Sequence, residues 1–470
     1  YGHHRDLHSF PTRRSSYLSE VNWCEDLGTV LANDEIVNDE NGNLVSERGS
    51  YHVEKKSMRQ WFMRITAYAE RLLSGLEYLQ WSDHIKNIQK NWIGKSEGSE
   101  IEFRIKNRKE KIKIFTTRAD TILGVTYVVL APEHPLITNY ELQITNREEV
   151  AEYIEKIKNK TDEERTKNDK EKTGVELKGI MAVNPASGQE IPVWAADYVL
   201  ASYGTGAVMA VPAHDERDFT FAKKYNLPIE DKPLVDILEI TKMVGGKMVT
   251  KYKMRDAVFA RQRYWGEPIP LRHSFDGIIT QLKEKDLPLK LPNVKSYSST
   301  GTGESPLASV ESWIREGYET NTMPGWAGSS WYFLRYMDPQ NSKNFASKKA
   351  INYWKSVDMY VGGAEHATGH LLYSRFWNNF LYDMGYVSFK EPFQKMKNIG
   401  MVLATDGRKM CKRWNNVINP DDIVRNYGAD TLRVYEMFMG PFEQSLPWST
   451  ESIIGDRKST RLNSSHRIRS

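Results

Sequence analysis

Two short segments in the second half of the sequence carry residues suited to binding a nucleotide. The first, Gly362-Gly363-Ala364-Glu365-His366, follows the apolar, strand-like residues 359–361 and opens a predicted helix over 366–383. A strand, a glycine turn and a helix N-terminus together present free backbone N–H groups, which suit phosphate or ribose. The second, Lys409-Met410-Cys411-Lys412, puts two lysines on a glycine-flanked turn, where their ammonium groups can meet nucleotide charge.

His366 and His370 lie four residues apart, so the predicted helix places them on one face. This spacing also suits a zinc site. However, Glu365 precedes the first histidine rather than following it, and no third ligand is evident in the sequence. We therefore predict no metal, and no zinc in particular, with a metal site at this pair as the alternative.

The charge of the chain is concentrated at its ends. The 470 residues, enough for about three domains, have a net charge of +4. Residues 1–18 and 456–470 together supply +6, which leaves the remainder at about −2. Overall charge is therefore no argument for nucleic-acid binding. Both ends are poor in apolar residues and read as translated adapter sequence; the rival interpretation is a basic arm that binds RNA.

Hydropathy and cysteine content indicate a reducing, cytoplasmic setting without a membrane partner. Mean hydropathy is −0.60, and no long uncharged apolar run suggests a membrane span. The two cysteines, Cys24 and Cys411, form neither a disulfide framework nor a zinc cluster.

Periodicity predicts the elements of the first half. Residues 58–79 repeat apolar side chains at helical spacing, which predicts one amphipathic, core-facing helix. Alternation over 101–105 and 112–114 predicts paired β-strands. In purely structural terms, the threonines near 116–121 are strand formers, and Asp215 with Asp218 is a helix N-cap pair.

Four longer strings, in this order, resemble the leucyl-tRNA synthetases, a family of class I aminoacyl-tRNA synthetases. The resemblance covers roughly residues 21–453 and is of the bacterial type. The strings are Arg-Gln-Arg-Tyr-Trp-Gly-Glu-Pro (261–268), Met-Pro-Gly-Trp-Ala-Gly-Ser-Ser-Trp-Tyr (323–332), Gly-Gly-Ala-Glu-His-Ala-x-x-His (362–370) and Tyr-Gly-Ala-Asp-Thr-Leu-Arg (427–433).

The resemblance implies an α/β fold: a partial, Rossmann-like class I catalytic domain interrupted by a mixed α/β editing domain with a β-barrel-like core. It implies a leucine–tRNA ligase that activates leucine with ATP, transfers it to tRNA(Leu) and hydrolyses mischarged tRNA. The expected partners are tRNA(Leu), leucine and ATP with Mg²⁺, bound by a monomer. The expected segments are a non-native leader (1–18), a catalytic segment with hinge (19–98), the editing domain (99–235), the second catalytic half (236–455) and a non-native tail (456–470).

The resemblance also implies roles for residues of the catalytic domain. Lys409 and Lys412 are the expected catalytic pair that holds the triphosphate in the transition state; Cys411 and Arg413 replace two serines of that loop. The adenosine and amino-acid sites follow from the other strings. Adenosine is expected to contact Gly362, Gly363 and Glu365, and leucine to contact His366, His370, Ser330 and Tyr332.

In the editing domain, the resemblance implies that Asp218 holds the aminoacyl ammonium and that Thr121 sterically bars leucine. A second site of this kind is useful because a hydrophobic pocket separates substrates that differ by one methylene by only about 1–3 kcal/mol. Ala119 stands where relatives often have proline. Ester and attacking water are expected to lie at Thr116, Thr117 and Arg118, and the same site is expected to include Asp120 and Asp215.

Two parts of the family pattern have no counterpart in the sequence: the HIGH motif and the anticodon-binding domain. Three hypotheses therefore stand. The chain is a synthetase fragment with an incomplete activation site, an editing-only hydrolase of mischarged tRNA, or an inactive protein that binds tRNA or nucleotide.

Overall fold

The protein forms two compact units in a computed structural model, one from Ile93 to Arg255 and one from the chain on either side of it. Lys412, Arg413, most of the leader and all of the tail lie outside the described residues. The structure describes residues 16–32, 35–39, 43–47, 49–138, 144–157, 165, 171–201, 204–298, 303–411 and 414–453.

The first part of the flanking unit is built on β1, which pairs antiparallel with β2 on one side and β5 on the other. Residues 16–18, which the sequence analysis sets aside with the leader, begin this strand. The buried side chains of Trp23, on β1, and Val30, paired with it on β2, belong to one apolar cluster. The elements are β1 Ser16–Cys24, β2 Thr29–Leu31, β3 Ile36–Asn38, β4 Leu44–Ser46, β5 Glu54–Met63, α1 Ala69–Gly75 and α2 Asp83–Ile93.

The prediction of a single helix over 58–79 is wrong. Its first part is strand β5, followed by a 3₁₀ turn at Ile65–Tyr68 and only then by α1. The strand forms because β1, more than thirty residues away, supplies its hydrogen-bonding partner from Ser16↔Trp61 to Trp23↔Glu54. Tertiary pairing of this kind overrides a local helical period.

The Ile93–Arg255 unit is a sheet of seven strands with helices around it. The order is β11-β8-β10-β9-β6-β12, with β7 paired to β6, and all neighbours are antiparallel except β8 and β10. The elements are β6 Lys95–Ile105, β7 Lys111–Thr116, β8 Tyr127–Leu130, α3 Pro135–Thr138, α4 Arg147–Ile157, β9 Gly174–Val183, β10 Glu190–Ala196, β11 Ala207–Ala210, α5 Glu216–Lys224, α6 Ile237–Met243 and β12 Lys247–Tyr252.

Two local predictions for this unit are confirmed. The alternating segments form β6 and β7, paired in register from Ser99↔Thr116 to Arg104↔Lys111, with their isoleucines and Phe103 in the core. Asp215 is the N-cap of α5, and its carboxylate accepts a hydrogen bond from the backbone N–H of Asp218 at 2.9 Å. The cap fixes Asp218 in the first turn of that helix.

The remainder of the flanking unit contains the parallel pair β16–β17, joined by helix α11. Such a crossover is the βαβ unit of α/β folds. The elements are β13 Ala257–Val258, β14 Leu271–His273, β15 Ile279–Gln281, α7 Glu311–Arg315, α8 Gly325–Ser329, α9 Tyr332–Tyr336, α10 Lys348–Trp354, β16 Val357–Gly363, α11 His370–Asp383, β17 Phe393–Ile399, β18 Val402–Leu403, α12 Pro420–Tyr427, α13 Ala429–Phe438 and β19 Leu446–Pro447.

The helix predicted over 366–383 begins four residues later than expected. Ala364–His366 is a 3₁₀ turn, and α11 starts at His370 after Gly369, whose backbone angles (φ −94°, ψ −108°) are not helical. His366 and His370 therefore do not share an α-helical face. They lie on two consecutive elements, with ring centroids 6.4 Å apart.

Candidate functional site

A chain of four hydrogen-bonding side chains, Tyr332, Tyr360, His370 and Ser374, lies where β16 leads towards α11. The hydroxyl of Tyr360, on β16, lies 2.6 Å from the hydroxyl of Tyr332 and 2.5 Å from Nε2 of His370. On its other side His370 faces Ser374, with Nδ1 3.4 Å from the hydroxyl. The Tyr360 ring stacks on Phe393 of β17 at a centroid distance of 3.9 Å, so the parallel strand pair holds the chain in place.

Burial decides the protonation of this cluster. It lowers the pKa of His370 to about 4, helped by the neighbouring His366, and raises the pKa of Tyr360, helped by the bond to Tyr332. At neutral pH the imidazole is uncharged and the phenol keeps its proton. The cluster is therefore a neutral array of donors and acceptors, suited to orienting a polar group beside aromatic surfaces.

The remaining residues predicted for leucine lie around this array. Ser330 is fully buried, and its hydroxyl donates to the carbonyl oxygen of Trp326. The Trp326 ring lies 6.5 Å from that of His366 and is parallel to Tyr373 at 6.3 Å. The four residues predicted for leucine thus lie around one group of aromatic side chains. Tyr360, which joins Tyr332 to His370, was missed because the sequence marked it only as part of an apolar strand.

The two glycines predicted for adenosine are the last residues of β16, paired with Asn398 and Ile399 of β17, rather than a turn after the strand. Glu365 lies in the 3₁₀ turn that follows. Nothing lies within 4 Å of where a side chain would begin at Gly362, whereas a methyl group at Gly363 would overlap the Glu365 carboxylate. That carboxylate is about half exposed and lies 3.9 Å from Nε2 of His366. The backbone at Gly362 is therefore open to a ligand, and an acceptor stands next to it.

Lys409 is not gathered into this group. Its exposed ammonium lies 3.8 Å from the carboxylate of Glu47. The loop is held by Asn416, which accepts from the backbone N–H of the exposed Cys411 at 2.8 Å and donates to the carbonyl of Lys409 at 3.3 Å. The second predicted lysine, Lys412, lies outside the described residues.

A second candidate site lies in the Ile93–Arg255 unit. A cavity of about 260 Å³ opens between the end of β7, strand β11 and the start of α5. Six of the seven residues predicted for editing line it: Thr116, Thr117, Arg118, Thr121, Asp215 and Asp218. The seventh, Asp120, is not a lining residue; its carboxylate binds the Arg118 guanidinium at 3.0–3.2 Å.

Asp218 is a buried carboxylate held by two donors. Oδ2 accepts from the backbone N–H of Val211 at 2.9 Å, and Oδ1 accepts from the hydroxyl of Tyr198 at 3.4 Å. Burial, together with the neighbouring Asp215, raises the pKa of Asp218 to about 6. A carboxylate that is ionised at neutral pH despite burial is a strong attractor for a cationic group.

The threonines of the opposite wall are fixed by Arg118. The hydroxyl of Thr121 donates to the carbonyl of Arg118 at 2.8 Å, and the backbone N–H of Arg118 donates to the hydroxyl of Thr116 at 3.0 Å. Thr121 is only 4% exposed. Because its hydroxyl is engaged, Thr121 acts on the cavity mainly as a rigid, space-filling group.

Two further polar side chains line the cavity and had no assigned role in the sequence analysis. The guanidinium of Arg217 lies 4.0 Å from Asp218 and 4.9 Å from the Tyr198 ring centre, and His214 lies 3.5 Å from Asp231. The sequence offered one signal for them, since His214 directly precedes Asp215 and Arg217 directly precedes Asp218.

Known protein families match parts of both units. The family model described as "Leucyl-tRNA synthetase, editing domain" matches residues 90–243, and that described as "tRNA synthetases class I (I, L, M and V)" matches residues 241–449. A solved structure of the Agrobacterium radiobacter K84 agnB2 LeuRS, in a ternary complex with tRNA and LeuAMS, is similar to 95% of this chain at 35% identity and a TM-score of 0.78. The chain belongs to the leucyl-tRNA synthetase family. The resemblance and the α/β fold class inferred from the sequence are thereby confirmed.

This member of the leucyl-tRNA synthetases spans 57% of the length of the Agrobacterium enzyme. A methionyl-tRNA synthetase of Mycobacterium tuberculosis bound by methionyl-adenylate also matches, covering 96% of this chain and 46% of its own. Its 12% identity and TM-score of 0.35 carry no argument.

Across the described ranges, no group of three or more His, Cys, Asp or Glu side chains is arranged to hold a metal ion. No helix in the described part of the chain combines the length and apolar character needed to cross a bilayer.

Proposed function

We propose that the chain works as a leucine–tRNA ligase, in which one unit serves leucine activation and the Ile93–Arg255 unit hydrolyses mischarged tRNA(Leu). Family membership supports this proposal, and the Agrobacterium relative is described with tRNA and LeuAMS. The observation that carries it is the buried carboxylate of Asp218 in a small cavity walled by Thr121. An aminoacyl ester offers the matching groups, an ammonium and a side chain of limited size.

In the editing reaction, Asp218 binds the ammonium group, while Thr121 excludes the leucine side chain and admits the differently shaped norvaline. Arg118, held by Asp120, places the terminal ribose or phosphate, because a guanidinium fork suits such oxygens. We assign no side chain as general base, and in this proposal hydrolysis relies on positioning the water and on groups of the substrate itself.

In the activation reaction, leucine lies against the array of Tyr332, Tyr360 and His370. The Gly362-Gly363 backbone and Glu365 receive adenosine. ATP enters as its Mg²⁺ complex, and Lys409 with Lys412 stabilises the triphosphate charge in the transition state. We place this reaction in the cytoplasm of the cell, in a monomeric protein; the free thiols of Cys24 and Cys411 agree with a reducing compartment.

The first test is deacylation of tRNA(Leu) charged with norvaline or isoleucine. The chain should hydrolyse both and spare leucyl-tRNA. Asp218→Ala should lose hydrolysis, and Thr121→Ala should gain activity on leucyl-tRNA. Glu148→Gln removes one carboxylate from the exposed face of α4 and should change nothing.

A folded chain that hydrolyses none of these substrates overturns the editing assignment. Tight binding of tRNA or leucyl-adenylate analogue without turnover would instead identify a binding protein. Hydrolysis without leucine-dependent ATP–pyrophosphate exchange would identify an editing-only hydrolase.

A further inference from the structure

The hairpin of β6 and β7 carries an unusual density of positive charge. Between residues 104 and 113 the sequence places six basic side chains and one acidic one. None of them belongs to the cavity around Asp218. The six are Arg104, Lys106, Arg108, Lys109, Lys111 and Lys113.

The hairpin is anchored in the core, so the backbone positions from which these side chains extend are fixed. Its inward side chains, including Phe103 and Ile112, are fully buried in the core of the unit. The turn is closed by a hydrogen bond from the N–H of Ile105 to the carbonyl of Glu110, and Asn107 adopts a left-handed conformation (φ +58°). Asparagine tolerates that conformation better than most residues. The turn is therefore built to hold its shape.

Like charges face each other across the two strands. Arg104 lies directly opposite Lys111 in the register, and both side chains are exposed. Such a cross-strand pair is unfavourable unless an anion lies nearby. Lys111 and Lys113 find anions in Glu102 and Glu100, at 2.7 and 3.3 Å, and Lys106 finds Glu190 at 2.7 Å. The ion pairs of Lys111 and Lys113 lie along the strands, whereas Lys106 lies in the turn after β6 and pairs with Glu190 of β10.

At the turn, a groove of about 500 Å³ is lined by cations and not by carboxylates. Its walls are Arg104, Ile105, Lys106, Asn107, Arg108, Lys109 and Val183. Four of these seven residues are basic, and none is acidic or aromatic. Guanidinium and ammonium groups in this density suit phosphate oxygens. Without an aromatic ring the groove has no platform for stacking bases.

We propose that this basic groove binds the phosphate backbone of RNA, independently of base sequence. The choice of RNA as the source of phosphate rests on the proposed function, in which tRNA is the substrate. The groove holds and orients the RNA, as backbone contacts do in general, and takes no part in hydrolysis. Each phosphate neutralised there releases counterions, so its contribution must weaken as salt rises.

The test is binding of uncharged tRNA(Leu) transcript, measured by fluorescence anisotropy over a series of salt concentrations. Arg108→Gln/Lys109→Gln removes two charges at the turn, one half-buried and one exposed, and neither residue belongs to the core of the unit. The matched control, Lys242→Gln/Lys247→Gln, removes two exposed lysines elsewhere in the same unit. At about 0.1 M salt the turn variant should bind roughly five- to twenty-fold more weakly, and its slope of log K against log salt should fall by about 1.5.

Several outcomes overturn the proposal. One is a turn variant that follows the control; another is a charge-reversed Arg108→Glu/Lys109→Glu variant that keeps full affinity. Loss of binding to poly-glutamate but not to RNA would assign the groove to an acidic protein instead. Deacylation of norvalyl-tRNA, assayed in parallel, separates the two proposals. If the unchanged chain hydrolyses norvalyl-tRNA and the turn variant binds RNA as tightly as that chain does, only the groove is rejected. If the turn variant binds RNA more weakly but the unchanged chain hydrolyses nothing, only the editing function is rejected.

Discussion

The hydroxyl of Tyr360 lies 2.5 Å from Nε2 of His370, ten residues further along the chain and on the next element. The same hydroxyl meets Tyr332 at 2.6 Å. One phenol therefore joins a strand and two helices, and the groups at both ends of the link depend on it for a partner.

Removing that hydroxyl should affect both stability and leucine binding. Tyr360→Phe keeps the stack on Phe393 but leaves Tyr332 and His370 without their shared partner. An unpaired buried polar group costs about 1–3 kcal/mol, so we expect leucine affinity to fall by roughly five- to a hundred-fold in calorimetric titration. Tyr353→Phe, at a side chain 76% exposed, is the control. Equal affinities in the two variants would contradict the proposed leucine pocket.

His370 should stay neutral throughout the physiological range. Burial lowers its folded-state pKa to about 4, below the unfolded value of about 6.5. Stability from the neutral ring is therefore complete above pH 6.5 and is lost as pH falls towards 4, by up to about 3 kcal/mol. NMR titration should show no His370 transition above pH 5.

His273 provides an internal comparison for that titration. Its hydrogen bond to Glu319, at 2.8 Å, raises the pKa of the imidazole. Its contribution to stability is therefore present below pH 6.5 and lost as pH rises through the raised pKa. A His370 signal that titrates together with His273 would contradict the buried, neutral assignment.

Asp218→Asn should stabilise the Ile93–Arg255 unit at neutral pH while abolishing editing. The folded-state pKa of about 6 exceeds the unfolded value of about 3.9. Wild-type stability therefore falls as pH rises from 4 to 6, and above pH 6 the variant should be more stable by about 2–3 kcal/mol. Calorimetry at pH 8 and pH 4 measures this. A variant less stable than wild type at pH 8 would argue against a strained carboxylate.

Tyr198→Phe should shift the pH dependence of hydrolysis. The Tyr198 hydroxyl lowers the pKa of Asp218 by donating to it. Without this bond more of the carboxyl is protonated near pH 6, so we expect two- to five-fold slower deacylation at pH 6 and recovery by pH 8. Tyr225→Phe removes a hydroxyl that binds Gly174 and should leave the profile unchanged. A uniform loss at all pH values would indicate a merely structural role.

The two glycines at the end of β16 should respond differently to alanine. Gly363→Ala displaces the Glu365 carboxylate, whereas Gly362→Ala meets open space. We expect both variants to fold normally, since the displaced group is the mobile end of a side chain. If nucleotide approaches the backbone there, both should bind an adenylate analogue at least ten-fold more weakly. If Gly363→Ala alone loses affinity, Glu365 is the contact and the Gly362 backbone is not.

Patterns among residues close in sequence correctly predicted those structural features that depend only on neighbouring residues. The alternation over 101–114 and the cap at Asp215 were confirmed because neighbours in sequence determine both. The helix over 58–79 was wrong because its first part is shaped by β1, whose pairing no local period reveals.

The candidate sites show the same limit. Glycines and histidines drew attention through type and spacing, whereas Tyr360 and Arg217 acquire significance only from what they touch in space. The family resemblance named seven editing residues, of which six line one cavity. It could not show that the carboxylate of Asp120 binds Arg118 instead of lining the cavity.

The ladder between β6 and β12 has a consequence at the level of the gene. Lys95 pairs with Tyr252, and the N–H of Lys253 donates to the carbonyl oxygens of Ile93 and Gly94 at 3.0 Å, so the unit begins and ends at one point. The DNA that encodes a segment closed in this way can be inserted into a host gene or exchanged for the homologous DNA of a relative. It can also be replaced by DNA that encodes a short connecting peptide. Such transplantation breaks the host polypeptide at a single position. Recombination, and not only point mutation, is thus an accessible route to a changed proofreading module.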